Sequence, residues 1–272
     1  MSEGEPADTA GLGDVAGLFD VAGKTAVITG GTRGIGLMIA RGLLASGARV
    51  IISSRKQDAC DAAIAELGTL GQISAIAADL STAAGVAALA GHVAEQFNRV
   101  DILVNNAGAT WGASLDEFPI SAFEKVLTVN VTAVFAVTQA LLPLLRAGAA
   151  PESPARVINV GSIDGIGVSS TENYSYGASK SAVHMLTRKL AADLAAQSIT
   201  VNAIAPGPFP TKMLAYALDD EQLRTQIETS VPLGRIGSAK DIVGAVIFLA
   251  SRAGAFLTAT IIPVDGGLSG TR

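Results

Sequence analysis

The sequence predicts an α/β protein: a single doubly wound domain with a mainly parallel, seven-stranded sheet and helices on both faces. Three observations carry this. Seven short β-branched runs alternate with Ala- and Leu-rich stretches of helical character. The first run passes directly into a glycine-rich turn and then a helix. From residue 21 to 272 there is no linker, composition break or internal repeat. Strands separated by helices need long crossovers, which are right-handed and place helices on both sides of a parallel sheet.

In order, residues 1–20 are rich in Gly, Ala and Asp and are expected to form a flexible extension. The strands are "TAVIT" near 25, "RVIIS" near 49, "ISAIAA" near 73, "DILVN" near 101, "RVINV" near 156, "ITVNAIA" near 199 and "IIPV" near 261. Between them lie helical patterns such as "GIGLMIARGLLASG", "DACDAAIAELG", "AGVAALAGHVAEQF" and "SAVHMLTRKLAADLAAQ". Residues 126–145 are uncharged for about a membrane thickness. Asn130, Thr132, Thr138, Gln139 and Pro143 interrupt that run and favour a buried or subunit-interface helix over a span. Residues 208–231 read as two short helices after a proline-rich turn, either a lid or a surface hairpin.

Hydrophobic residues make up 49% of the chain, and the mean hydropathy is +0.45. A sheet buried on both faces, together with subunit contacts, absorbs that much apolar residue. A net charge of −5 points away from nucleic acid and from anionic membrane surfaces. The single cysteine, Cys60, excludes an internal disulfide and fits a reducing, cytoplasmic compartment. His92 and His184 lack neighbours at ligand spacing, so no metal site is expected. The chain does not open with a charged start followed by an apolar run, so no secretory signal is read there.

Two stretches carry chemistry. In "TGGTRGIG", residues 29–36, Gly30, Gly34 and Gly36 free the backbone for a tight turn. Their missing side chains let a pyrophosphate approach a helix N-terminus, although such a triplet also serves as a plain strand–helix turn. In "NYSYGASK", residues 173–180, Lys180 stands four after Tyr176 and shares its helical face; Tyr174 does not. The pair is either a surface patch or a phenol and cation built for proton transfer.

"TGGTRGIG", "NNAG" at 105–108, Ser162 in "NVGS", "YGASK" at 176–180 and "PGPFPT" at 206–211 occur in that order. Together they resemble the short-chain dehydrogenase/reductase family, over roughly residues 20–272, with its Rossmann-type fold. "NNAGATWGASL", "ALLPLLR" and "PARVINVGS" look most similar to 3-oxoacyl reductases of the rhamnolipid-biosynthesis type.

The resemblance implies a catalytic set of Asn130, Ser162, Tyr176 and Lys180. Tyr176 is then the general acid. A free phenol titrates near 10, so a nearby ammonium is expected to lower it. Lys180 also bonds the nicotinamide ribose, Ser162 polarises the substrate carbonyl, and Asn130 holds a water in a relay to the lysine. Tyr174 is left a packing or substrate-wall role. Cofactor contacts fall on Gly30, Thr32, Arg33, Gly34, Ile35 and Gly36 of the turn, with Asp79 and Leu80 at the adenine. Asn106, Ala107 and Gly108 border the ribose, and Pro206, Gly207, Phe209 and Thr211 lie beside the nicotinamide, Phe209 facing its ring. Ser54 stands where relatives that use NAD carry a carboxylate, with Arg55 after it and Arg33 close by. Two guanidinium groups and no carboxylate favour a 2′-phosphate, hence NADPH.

Met213, Leu214 and Tyr216 are expected to wall the lid, and Trp111 to line the pocket or sit in the core. The expected activity is hydride transfer from NADPH to a ketone, a 3-oxoacyl thioester being favoured. Polyol or hydroxysteroid oxidoreduction is the alternative within enzymes. A dinucleotide-sensing regulator is the alternative outside them. A homotetramer is implied, with one departure near the last strand: Ala259 replaces the glycine common in relatives.

Overall fold

The structure, a computed structural model, describes residues 15–169, 171–211, 214–215 and 219–271. All seven expected runs are strands: β1 Thr25–Thr29, β2 Arg49–Ser54, β3 Ile73–Ala77, β4 Ile102–Asn105, β5 Ala155–Val160, β6 Ile199–Pro206 and β7 Ile261–Val264. They pair in the order β3-β2-β1-β4-β5-β6-β7, and every pairing is parallel. β1 therefore has β2 on one side and β4 on the other, and the crevice at this reversal is where such sheets take ligands.

Strand side chains alternate between two apolar layers. Ala26, Ile28, Ile52 and Ile158 pack against α1 (Gly34–Ala45), α2 (Gln57–Leu67) and the last helix, α8 (Ala239–Ala250). Val27, Ile51, Leu103 and Val157 pack against α3 (Ala83–Gln96), α5 (Ala133–Gly148) and α6 (Tyr174–Leu194). Burial on both faces explains the high apolar fraction of the strands.

The apolar run is helical from Ile120 to Gly148. It consists of α4 (Ile120–Leu127), a π-turn (Thr128–Thr132) and α5. By length and composition it would suffice to cross a membrane. Yet Val134, Val137, Leu141 and Leu145 are buried against the sheet. In the expected lid, the bounded helix is α7, Glu221–Ser230, and it buries none of its residues. Met213 and Tyr216 lie outside the described residues, and Leu214 is half-buried. Of residues 1–20, 1–14 lie outside the described residues; Ala16–Phe19 form a 3-10 turn against Arg252–Gly254.

Candidate active site

The glycine turn leaves β1 at the sheet reversal. Gly30 and Gly34 have φ of +66° and +55°, a region that disfavours a side chain. A Cβ on Gly36 would lie 2.4 Å from Asn106 Nδ2, and one on Gly31 2.5 Å from Ile52. Asn106 binds the turn to β4: its Nδ2 donates to the carbonyls of Thr29 and Gly30. Thr29 Oγ1 in return accepts the amides of Asn106 and Ala107. Arg33, at the N-cap of α1, makes no side-chain cap bond. The helix dipole and first-turn amides of Ile35 and Gly36 therefore face the crevice without a capping oxygen, which suits an anion. Thr32 is half-buried beside them.

Ser54 ends β2 half-buried, and Arg33 and Arg55 are exposed. Neither arginine forms an ion pair among the described residues. The last residue of β2 and those beside it thus offer a hydroxyl and cations, with the Asp79 carboxylate near enough to feel Arg55. Asp79 Oδ1 accepts from the amide and hydroxyl of Ser81 at 3.0 and 2.7 Å. Those bonds hold its pKa below the usual carboxylate range. The Leu80 side chain is buried in the core, which leaves its backbone to meet a ligand.

Opposite the turn, α6 starts at Tyr174 and directs Tyr176 and Lys180 toward the end of β5. Lys180 is 5% exposed, and its Nζ donates to the Val160 carbonyl at 2.7 Å. That ammonium lies 5.5 Å from the centroid of the Tyr176 ring. Here the structure departs from expectation. Burial pushes the Tyr176 phenol up to about 12; the Ser162 hydroxyl draws it down and Asp164 adds to the rise. Lys180 is itself lowered to about 8 by burial, which still leaves it mostly protonated at neutral pH. Two groups buried together each favour their neutral forms, and no sequence spacing reveals that.

Ser162 follows β5 and is buried; its Oγ accepts the Asp164 amide at 3.1 Å. Asn130 sits in the π-turn, a feature frequent at functional sites. Its Oδ1 accepts from the Ala109 amide at 2.8 Å, and its Nδ2 donates to the Ala109 carbonyl and to Ser179 Oγ, both at 2.9 Å. The side chain is thus committed to protein partners. Gly108 lies between: a Cβ there would be 3.4 Å from Asn130 Oδ1 and 3.8 Å from Lys180 Nζ.

Pro206 ends β6. Gly207 packs on Asp265, where a Cβ would lie 2.8 Å from Asp265 Cβ. Thr211 reaches the glycine turn, its methyl 3.4 Å from where a Gly34 Cβ would stand. Phe209 does not face the crevice. It is 3% exposed in the core, with its ring 2.4 Å from where a Gly237 Cβ would stand. A ring meant for the nicotinamide would be open to the crevice; this one fills the space that Gly237 leaves.

The mouth is apolar. Trp111 is 48% exposed and Tyr174 42%. Tyr174 meets Phe118 edge to face at 5.5 Å, and the Ala113 amide ties its loop to the Glu172 carbonyl. Met213 lies outside the described residues.

Sequence reasoning missed a buried polar ladder beneath the site. Asn105 Nδ2 donates to Asn159 Oδ1 and Thr138 Oγ1, and Asn159 Nδ2 donates to Thr187 Oγ1. Asparagines inside the apolar runs "DILVN" and "RVINV" were the available signal.

A helix N-terminus open to an anion and a half-buried phenol, facing each other across a sheet reversal, are the marks of a dinucleotide-dependent oxidoreductase. The chain belongs to the short-chain dehydrogenase/reductase family. A family profile described as enoyl-(acyl carrier protein) reductase matches residues 30–269. Over 245 residues the chain is 49% identical to the rhamnolipids biosynthesis 3-oxoacyl-[acyl-carrier-protein] reductase of Pseudomonas aeruginosa, covering 90% of this chain and 96% of that protein. It is 37% identical over 246 residues to the 3alpha-hydroxysteroid dehydrogenase of Mediterraneibacter gnavus, covering 89% and 96%. Among solved structures, the Pseudomonas aeruginosa RhlG/NADP active-site complex matches with a TM-score of 0.91 at 48% identity, covering 93% of this chain and 99% of that one.

Proposed function

We propose that this protein is an NADPH-dependent ketone reductase whose favoured substrate is a 3-oxoacyl thioester. The observation that carries this is the grouping of Tyr176, the buried Ser162 and the buried Lys180, whose Nζ lies 5.5 Å from the Tyr176 ring centroid, across from the glycine turn. When bound, the reduced nicotinamide supplies a hydride. Ser162 and Tyr176 hydrogen-bond the substrate carbonyl, so negative charge that develops on its oxygen is met by two donors. Tyr176 then delivers its proton to that oxygen, and the product is an alcohol. One of the three Lys180 N–H donors is spent on Val160, which leaves the others for ribose hydroxyls and for returning a proton.

Gly30, Thr32, Gly34, Ile35 and Gly36 receive the pyrophosphate, and Arg33, Ser54 and Arg55 read the 2′-phosphate. Asp79 and the Leu80 backbone take the adenine. Asn106, Ala107 and Gly108 border the ribose, and Pro206, Gly207 and Thr211 lie toward the nicotinamide amide. Trp111 and Tyr174 wall the acyl chain, and α7 closes over it. Residues 21–272 act as one catalytic domain. The protein works in the cytoplasm as a homotetramer, without nucleic acid, membrane or metal.

A hydroxysteroid substrate is the second reading, favoured by the apolar mouth at Trp111 and Tyr174. A dinucleotide-sensing regulator is disfavoured, because it would have no use for the intact catalytic set. NADPH oxidation measured against 3-oxoacyl thioesters, keto-steroids and keto-sugars separates these readings. Tyr176→Phe should lower kcat by about 10² to 10⁴ while leaving NADPH affinity nearly unchanged. Near-normal turnover in that variant would overturn the assignment of the acid.

A further inference from the structure

We infer that His184 is a positioning residue, its imidazole bracing the turn that carries Ser162 against the catalytic helix. The inference rests on the reading of Ser162 as a donor to the substrate carbonyl. His184 lies four residues beyond Lys180, so positions 176, 180 and 184 form one stripe on α6. The ring is 5% exposed, and its Nδ1 is 3.2 Å from the Gly165 carbonyl. A carbonyl only accepts, so Nδ1 carries the hydrogen and Nε2 the lone pair. Nε2 is buried without a hydrogen-bond partner among the described residues.

Gly161 and Gly165 bracket Ser162, and both yield their space to this ring. A Cβ on Gly161 would lie 2.2 Å from Nε2, and one on Gly165 2.8 Å from Cε1. The Gly165 carbonyl also accepts Ser181 Oγ at 3.2 Å. Inside the turn, the Gly165 amide donates to the Ser162 carbonyl at 3.0 Å. The Asp164 amide donates to Ser162 Oγ. The direction of the Ser162 hydroxyl is therefore set by where Gly165 is held, and His184 is one of the two side chains holding it.

A bare imidazole nitrogen in the core costs stability, and a leucine would fill the same space without that cost. The histidine is explained by what its other nitrogen holds. Burial keeps the ring neutral, with Lys180 and Arg188 pushing the same way and the Gly165 carbonyl opposing.

The test uses the full-length enzyme with NADPH and a 3-oxoacyl thioester. His184→Leu should lower kcat about ten- to hundredfold, the scale of a small misplacement of a donor, and leave NADPH affinity within about twofold. Placed on Ser162→Ala, the same change should cost less than about twofold more, because the group it positions is gone. His184→Asn, whose amide donor falls near the Nδ1 position, should recover most of the activity, and His184→Gln should not. Full activity of His184→Leu, losses that multiply with Ser162→Ala, or equal activity of the Asn and Gln variants would each overturn the inference. If His184→Leu does not fold, the Asn and Gln pair decides alone. A fully active Ser162→Ala would mark failure of the underlying catalytic reading instead.

Discussion

Lys180 is a buried ammonium bonded to one carbonyl, and burial draws its pKa down to about 8 from 10.5. Between those values the unfolded chain binds more protons than the folded one, so stability rises with pH across that window. Below it the buried charge costs on the order of 3 kcal/mol, from 10.5 − 8 = 2.5 pH units at about 1.4 kcal/mol each. Lys180→Met removes that cost and loses one charged hydrogen bond, a contribution of about 1.5–3 kcal/mol. The variant should therefore melt at or slightly above the wild-type temperature at pH 7 and gain less from a rise to pH 10, while its turnover collapses. Thermal melts at both pH values, beside kcat, check this; a large drop in melting temperature would contradict it. The four-residue step from Tyr176 to Lys180 was legible in the sequence, since helical geometry alone puts the two on one face. The direction of the phenol's shift was not, because it depends on what covers the ring. Phe209 misled for a related reason: nothing beside it in sequence announces that Gly237, distant along the chain, leaves a space for its ring.

At the scale of elements, the proposed reading of the cofactor's ribose by the end of β2 is open to test. Ser54→Asp would set a carboxylate against a 2′-phosphate and offer an acceptor to free ribose hydroxyls. Like charges in a partly desolvated crevice should cost about 1–3 kcal/mol, roughly 5- to 150-fold in affinity. kcat/KM should fall for NADPH and rise for NADH, while Arg55→Ala should weaken NADPH alone. A cofactor ratio that does not move in either variant would remove this strand end from the reading. The connection into β7 holds a second test. Ala259 adopts φ +64°, in the left-handed region, where glycine sits without strain and a residue with a Cβ does not. Ala259→Gly should raise stability by up to about 1 kcal/mol, measured by denaturant titration, with activity unchanged. The seven strands were legible because β-branched runs between helical patterns have few other uses. The π-turn at Thr128–Thr132 was not legible. Its sequence continues a helix, and Asn130 meets Ala109 and Ser179 only once the chain has folded.

For the whole molecule, Phe135 on α5 and Met185 on α6 are 44% and 62% exposed, large apolar side chains left outside the core. Twofold contacts through these helices would cover them, and the protein should run as a homotetramer. Light scattering at micromolar concentration checks this, and a monomer there would refute it. Strand order was beyond the sequence, since pairing partners are set by packing across the sheet rather than by neighbours in the chain. The sheet's uniform direction has a consequence for how freely the protein can change. Each strand runs the same way, so each leaves the sheet at the rim where the crevice opens. Each helix returns to the other rim, through joints such as 46–48, 68–72 and 97–101. Loops at the first rim set which molecules are held and turned over, whereas joints at the second only close the circuit. Insertions or fused tags at the returning joints should leave chemistry intact, so one edge of the molecule is open to evolutionary and engineering variation while the other is constrained residue by residue.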